Sequence, residues 1–412
     1  MQQKDNKLLG LGVLIFLGAL VIATIVGEIV LRLWQYPSPI DSGWGWNQSP
    51  RRNSALSDDT GHNELGLRGV PFAYGPEDIV VLLLGDSQVE AATARPEFMP
   101  ERLLEAYLAK ADLARSVKVF SLASSGWGND QQLLALERYF RTYRADLVLV
   151  WPTPANDFWE NAFPDRSVTD KAGHIKPTFW FDGTELQGPF FSGDVYLNQS
   201  RMWELVLRAR LRLAQRSKEQ YILDQWLERL PSDARRIDER QTSNCSSYPI
   251  VDQQEFLRSL FMLSPERGVV VRTKEDVEHS RSHFSPYIEP RSQRDQYLID
   301  ITRALLARIK EVALQHGASF RVIYPIRTEF DQLGRQVLRC VETTSGKRFA
   351  AQWEMIPLYK SIVEEKDFLP FSVPGEEELS VSPTDRHLSE TGNDRAMQIL
   401  ANELVRHNFV QR

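Results

Sequence analysis

Cysteine is nearly missing from this chain, with only Cys245 and Cys340 among 412 residues. That excludes a disulfide-dense scaffold and a zinc or iron–sulfur site built from thiolates. Histidine is sparse too, seven scattered copies, so no His cluster points to a metal. Basic charge is not in excess: 49 Lys and Arg face 55 Asp and Glu, a net of −6. That balance is wrong for a general nucleic-acid binder. No internal repeat and no low-complexity tract is visible, which argues against an array or a disordered chain. What remains is an ordinary globular mix, 42% hydrophobic and 25% charged, with chain enough for a large core.

One stretch departs from that mix. Leu8 to Gly27 is uncharged and apolar, LLGLGVLIFLGALVIATIVG. Twenty residues at about 1.5 Å each cover roughly 30 Å, the depth of a bilayer's hydrocarbon layer. Lys4 and Lys7 precede it, and Arg32, Trp34 and Tyr36 follow, the aromatic pair suited to an interfacial belt. The run is longer than the apolar part of a cleavable signal peptide, and GEIVLRLWQY lacks a small-x-small cleavage site. Residues 1–36 are therefore expected to be a cytoplasmic tip and an uncleaved single-pass anchor. A linker follows over 37–57. The lysines put the N-terminus inside and the remainder outside, in the periplasm of an inner-membrane protein.

Beyond the linker a βα rhythm begins. DIVVLLL (Asp78–Leu84), Val117–Leu122 and ADLVLVWP (Ala145–Pro152) read as buried strands, with helices over Glu101–Lys110 and Asp130–Tyr143 between them. Near-continuous apolar strands alternating with helices mark a parallel sheet covered on both faces. The rhythm lapses over about 161–290. That stretch holds Phe179-Trp180-Phe181, Phe190-Phe191, a hairpin turn at Asp182-Gly183 and a basic amphipathic helix near Trp203–Arg216. It resumes with a helix over Tyr297–His316, whose Leu298, Ile301, Leu305, Ile309 and Val312 share one face and which Gly317 ends. A strand over Ser319–Tyr324 and a last helix over Glu390–His407 complete it. Residues 58–412 thus read as one three-layer α/β domain with a long insertion.

In open α/β sheets, sites collect beyond the carboxyl ends of the strands. The first strand runs into Gly85-Asp86-Ser87, the second into Ser124-Ser125-Gly126-Trp127-Gly128-Asn129, and the third into Thr153-Pro154-Ala155-Asn156-Asp157. Ser382-Pro383-Thr384-Asp385-Arg386-His387 reads as a loop before the last helix. A serine, a histidine with a nearby carboxylate and two donor-bearing loops supply a nucleophile, its base, an orienting group and an oxyanion hole.

These four blocks resemble those of the SGNH/GDSL hydrolase family, which carries Ser, Gly, Asn and His in this order. The resemblance implies a flavodoxin-like three-layer fold with Ser87 as nucleophile, His387 as general base and Asp385 as its orienting carboxylate. It further implies an oxyanion hole made by the N–H groups of Ser87 and Gly126 and the side-chain amide of Asn156. Asn63-Glu64-Leu65-Gly66-Leu67-Arg68-Gly69 and Lys176-Pro177-Thr178-Phe179 also resemble segments of membrane-anchored members. The likeness covers about 60–185 and 295–410 and departs from the family pattern at two places. Pro154 stands where glycine usually precedes the asparagine, and Asp385 lies two rather than three residues before His387, a position held by Thr384. The shorter spacing is similar to that of polysaccharide O-acetyltransferases, although Leu388 replaces their trailing Trp.

The implied reaction is two-step acyl transfer through an acyl-Ser87 intermediate, needing no metal or organic cofactor. Expected substrates are acyl esters, acetyl above all, on envelope or exported glycans, with hydrolase and transferase sharing every catalytic residue. Two rival readings stand beside it: a lipid esterase held at its bilayer substrate, and a catalytically silent scaffold subunit of an envelope biosynthesis complex. No nucleic-acid partner is expected. Trp151, Phe158, Trp159, Phe179, Trp180 and Phe181 read as core first and as sugar-stacking rings second. Arg208, Arg210, Arg212 and Arg216 read as a solvated helix face, with lipid headgroups as the alternative. Cys245 and Cys340 would both be extracytoplasmic, which leaves a disulfide between them open.

Overall fold

The structure, a computed structural model, describes residues 2–34, 61, 63–153, 157–162, 177–190, 200–214, 228, 242–254, 277–278, 285–327, 338–352, 355–375, 379–382 and 385–410. It opens with α1 (Gln2–Leu33), an unbroken helix of 32 residues. Within it, Gly12–Leu33 is long and apolar enough to cross a membrane, and none of it is buried by the rest of the chain. The helix runs past Gly27, where the uncharged run ends, and stays within the expected anchor of residues 1–36. Glu28 and Arg32 sit four apart and pair at 2.8 Å, so the two charges continue the helix together.

The domain proper begins at β1 (Ile79–Gly85), followed by α2 (Ser87–Glu90), α3 (Pro100–Lys110), β2 (Val117–Ala123), α4 (Asn129–Tyr139), β3 (Leu147–Val150) and α5 (Asp157–Glu160). A hairpin comes next, β4 (Thr178–Phe181) and β5 (Leu186–Phe190), then α6 (Arg201–Leu213), β6 (Ile250–Asp252) and β7 (Ile288–Glu289). The long helix α7 (Gln293–Gln315) leads to β8 (Ser319–Arg327), β9 (Leu338–Glu342), β10 (Arg348–Gln352), α8 (Met355–Ile362) and β11 (Phe368–Val373). Last come β12 (Ser380–Ser382), β13 (Asp385–Leu388) and α9 (Glu390–Arg406).

The main sheet has five parallel strands in the order β2-β1-β3-β8-β11. Its first strand has β2 on one side and β3 on the other, so the winding reverses between β1 and β3, and the crevice at that reversal lies beyond their carboxyl ends. Alternation along β1 splits the core in two. Val80, Leu82 and Leu84 pack with Leu133 and Leu136 of α4 and with Leu298, Ile301, Leu305 and Ile309 of α7. Ile79, Val81 and Leu83 face the other way, onto Leu104 and Leu108 of α3 and Met397, Leu400 and Leu404 of α9. Helices therefore cover both faces, as continuous apolar strands require.

The boundaries differ from expectation where local chemistry sets them. α7 starts at Gln293 because Ser292 and Asp295 form a reciprocal capping box, at 3.1 and 2.9 Å. The sequence reading also passed over β11, whose Pro370 breaks a strand pattern; the proline is tolerated because β11 lies at the sheet edge. The insertion is not one excursion but half of a second sheet. Strands β6-β9-β10-β7 form it, drawing β9 and β10 from the segment between β8 and β11. A Cys245–Cys340 disulfide joins the approach to β6 to the middle of β9, which closes the question that spacing left open. The rings expected as core are core: Trp151, Phe158, Trp159 and Phe179 are buried, and Trp180 and Phe181 pack on the cluster around α7.

Candidate active site

β1 ends at Gly85, and the chain turns at once into α2. A Cβ at Gly85 would stand 2.3 Å from Cγ2 of Val89, so only glycine lets the one-turn helix fold back onto its own strand. Asp86 caps that helix, accepting the N–H of Gln88 at 3.0 Å and the hydroxyl of Thr153 from the β3 exit at 2.9 Å. Ser87 is the first helical residue and is half-buried at the sheet's carboxyl edge.

Where a loop was expected, Ser382 ends β12 and Asp385–His387 lie in β13, two strands that pair antiparallel. This correction explains the spacing of the pair it carries. Residues two apart on a strand project from the same face, so Asp385 and His387 stand side by side. Asp385 Oδ1 lies 2.5 Å from His387 Nδ1 and accepts the His387 N–H at 3.1 Å. On the other side, His387 Nε2 is 2.7 Å from Ser87 Oγ. Across 300 residues of sequence, Leu388 N–H also donates to the Gln88 side chain at 3.1 Å, tying β13 to α2. With Nδ1–H donated to the carboxylate, Nε2 is left to accept the serine proton.

The β2 exit carries Gly126, buried, with φ +75, a left-handed conformation that side chains disfavour. The loop is anchored from below by Glu90, the last residue of α2. Its carboxylate accepts the Ser125 N–H at 2.8 Å and takes a very short hydrogen bond from the Ser125 hydroxyl. Arg68 braces the far end of α2, donating to the carbonyls of Glu90, Ala91 and Ala94 at 2.7, 2.5 and 2.8 Å. One carboxylate thus links the Ser87 turn to the Gly126 loop. The sequence reading assigned Glu90 no role. Its offset from Ser87, one helical turn, is the signal that could have found it.

Asn156, Pro154 and Thr384 lie outside the described residues. Their neighbours at the β3 exit are fixed: Thr153 N–H donates to Asp157 Oδ2 at 2.8 Å, and Asp157 N–H donates to the Thr153 carbonyl at 3.0 Å. Asp157 is fully buried, and its pKa is pushed well above the usual carboxylate range. Desolvation is the main cause, with the negative charges of Asp86, Glu160 and Asp130 adding to it. Behind the Gly126 loop, Asn129 and Asn161 pair through their side chains at 2.9 Å, and Asn161 reaches Thr302 of α7 at 3.0 Å. His316, expected as a helix-end residue, caps α7 and stacks on Phe140 at 4.3 Å, far from this chemistry.

The arrangement can take a proton from a serine hydroxyl and hold the resulting imidazolium against a carboxylate. No protein-family model matches this chain, and no curated protein does either.

Proposed function

We propose that this protein is a membrane-anchored serine esterase or O-acyltransferase of the SGNH/GDSL type. It acts on acyl esters of envelope or exported glycans from the periplasmic side. The observation that carries the reading is the continuous hydrogen-bonded line Ser87 Oγ–His387 Nε2, Nδ1–Asp385 Oδ1, at 2.7 and 2.5 Å, at the reversal point of a parallel sheet. Ser87 attacks the ester carbonyl as His387 takes its proton. The tetrahedral oxyanion is held by the N–H groups of Ser87 and Gly126 and by the Asn156 amide. His387 returns the proton to the leaving oxygen, and water or an acceptor hydroxyl releases the acyl group from Ser87. The buried rings near the site are core and offer sugars no stacking platform. The glycan assignment therefore rests on the extracytoplasmic placement proposed from Lys4 and Lys7 before the apolar helix.

A fluorophosphonate probe tests the chemistry. Full-length protein in detergent should label, and Ser87→Ala should not; native protein that stays unlabelled returns the fold to a scaffold role. Turnover of acetylated sugars over long-chain p-nitrophenyl esters separates glycan from lipid substrates. A C-terminal alkaline phosphatase fusion should be active and a β-galactosidase fusion silent. The reverse pattern would put the domain in the cytoplasm.

A further inference from the structure

Helix α6 is bonded to the membrane-spanning helix itself. Its N-cap, Ser200, donates its hydroxyl to Glu28 at 2.9 Å, and Met202 N–H donates to the same carboxylate oxygen at 3.0 Å. The other oxygen of Glu28 takes Arg32 at 2.8 Å, so a carboxylate near the end of an apolar helix is satisfied three times. Next to it, Met202 sits in the space a side chain at Gly27 would fill, its Sδ 2.7 Å from where a Cβ would stand. The first turn of α6 is thereby fixed at the level where α1 leaves its uncharged run.

From that level α6 carries apolar groups into the open. Trp203, Leu205, Val206 and Leu213 are exposed, Leu213 to 87%. Ile29, Val30 and Leu33 of α1, with Trp34 just after it, are also exposed. Arg210 and Arg212, also exposed, add cations on stems long enough to lie along apolar surface with their heads in water. An apolar side with tryptophan, with Arg210 within it, Arg212 at its border and its start beside the end of the uncharged run, is the chemistry of a helix lying in the membrane interface.

We infer that α6 is a second membrane contact, an interfacial helix that lays Trp203, Leu205, Val206 and Leu213 among the acyl chains and Arg210 and Arg212 against anionic headgroups. It rests on reading α1 as a bilayer span. A single span leaves the domain free to swivel, whereas a span joined at its end to an interfacial helix fixes the orientation of the domain over the bilayer. On this inference the exposed Arg210 and Arg212 meet headgroups rather than bulk water.

Spin labels test it on the full chain in vesicles of phosphatidylcholine and phosphatidylglycerol. Labels are attached at Val206→Cys and Leu213→Cys, with Val21→Cys reporting the span and Gln315→Cys reporting water. All four positions are exposed, so the core is untouched. The native cysteines are paired and do not react. Collisions with oxygen should exceed those with a water-soluble nickel chelate at positions 21, 206 and 213, with the ratio reversed at 315. Lipid-like behaviour at 21 with water-like behaviour at 206 and 213 overturns the second contact and leaves the anchor standing. Labels at 206 and 213 shielded from both reagents overturn it in favour of a protein partner. Water-like behaviour at 21 overturns the span itself and this inference with it. Arg210→Glu with Arg212→Glu should raise nickel collisions at 213 at least twofold in anionic vesicles. No change there would remove the headgroup assignment.

Discussion

Two aspartates sit within reach of the same strand ends and live in opposite conditions. Asp385 is on a short edge hairpin, with over a third of its side chain open to water, and its carboxylate is spent on one imidazole. Asp157 is at the root of α5, wholly buried among carboxylates, with a pKa driven upward by desolvation. An orienting carboxylate stabilises an imidazolium by holding negative charge against it. A carboxyl group sealed behind the sheet end is pushed toward its neutral form by desolvation. Residue type is the same; access to water divides the roles.

The largest test of that division removes the proposed nucleophile and base. Ser87→Ala and His387→Ala should each lower kcat toward background, a loss of about 10^6-fold by analogy with other serine triads, read on a p-nitrophenyl acetate assay. Asp385→Asn should cost about 10^4-fold and leave turnover that can be measured, since the carboxylate positions and stabilises rather than reacts. Full activity in that variant would show a Ser–His dyad and erase the contrast with Asp157.

Smaller effects sharpen the interior side of the comparison. Glu90→Gln weakens the bridge to Ser125 and, if the Gly126 loop supplies an oxyanion donor as proposed, should lower kcat about 10–100-fold with little change in KM, because it shifts that donor without deleting it. A rise in KM alone would mean that Glu90 shapes substrate binding instead. Asp157→Asn keeps the shape of a protonated aspartate, so activity should stay within about threefold of native. A 100-fold loss would mean that Asp157 works as an anion.

The smallest effect concerns stability. Glu101, buried at the start of α3 and accepting the Val70 N–H at 3.1 Å, has its pKa raised to about 7 by desolvation. Between about 4.5 and 7 the folded state therefore holds a proton that the unfolded state has lost, and stability falls as pH rises through that window. The full shift corresponds to about 3 kcal/mol, an upper bound. Glu101→Gln cannot ionise, so its urea midpoint should gain on native protein as pH goes from 5 to 8. A midpoint difference that is flat across that range would place the charge of Glu101 in water.

The sequence by itself determined the parallel sheet's first three strands, the apolar helix and the blocks at the strand exits, because each is written in local periodicity or in short runs. Leu298, Ile301, Leu305 and Ile309 lie on the buried face of α7 because a 3.6-residue repeat leaves no other choice. Asp385 and His387 were legible as a pair, but the reason Asp at two residues' distance works, a strand that points both side chains one way, became visible only with the hairpin. The second sheet was hidden because its strands come from two excursions, of which β9 and β10 have too few residues and too much charge to stand out. Glu90, Arg68 and the Glu28–Ser200 contact were hidden for a related reason. A buried carboxylate or a helix-to-helix junction is defined by partners far along the chain, and only tertiary packing decides which partners those are.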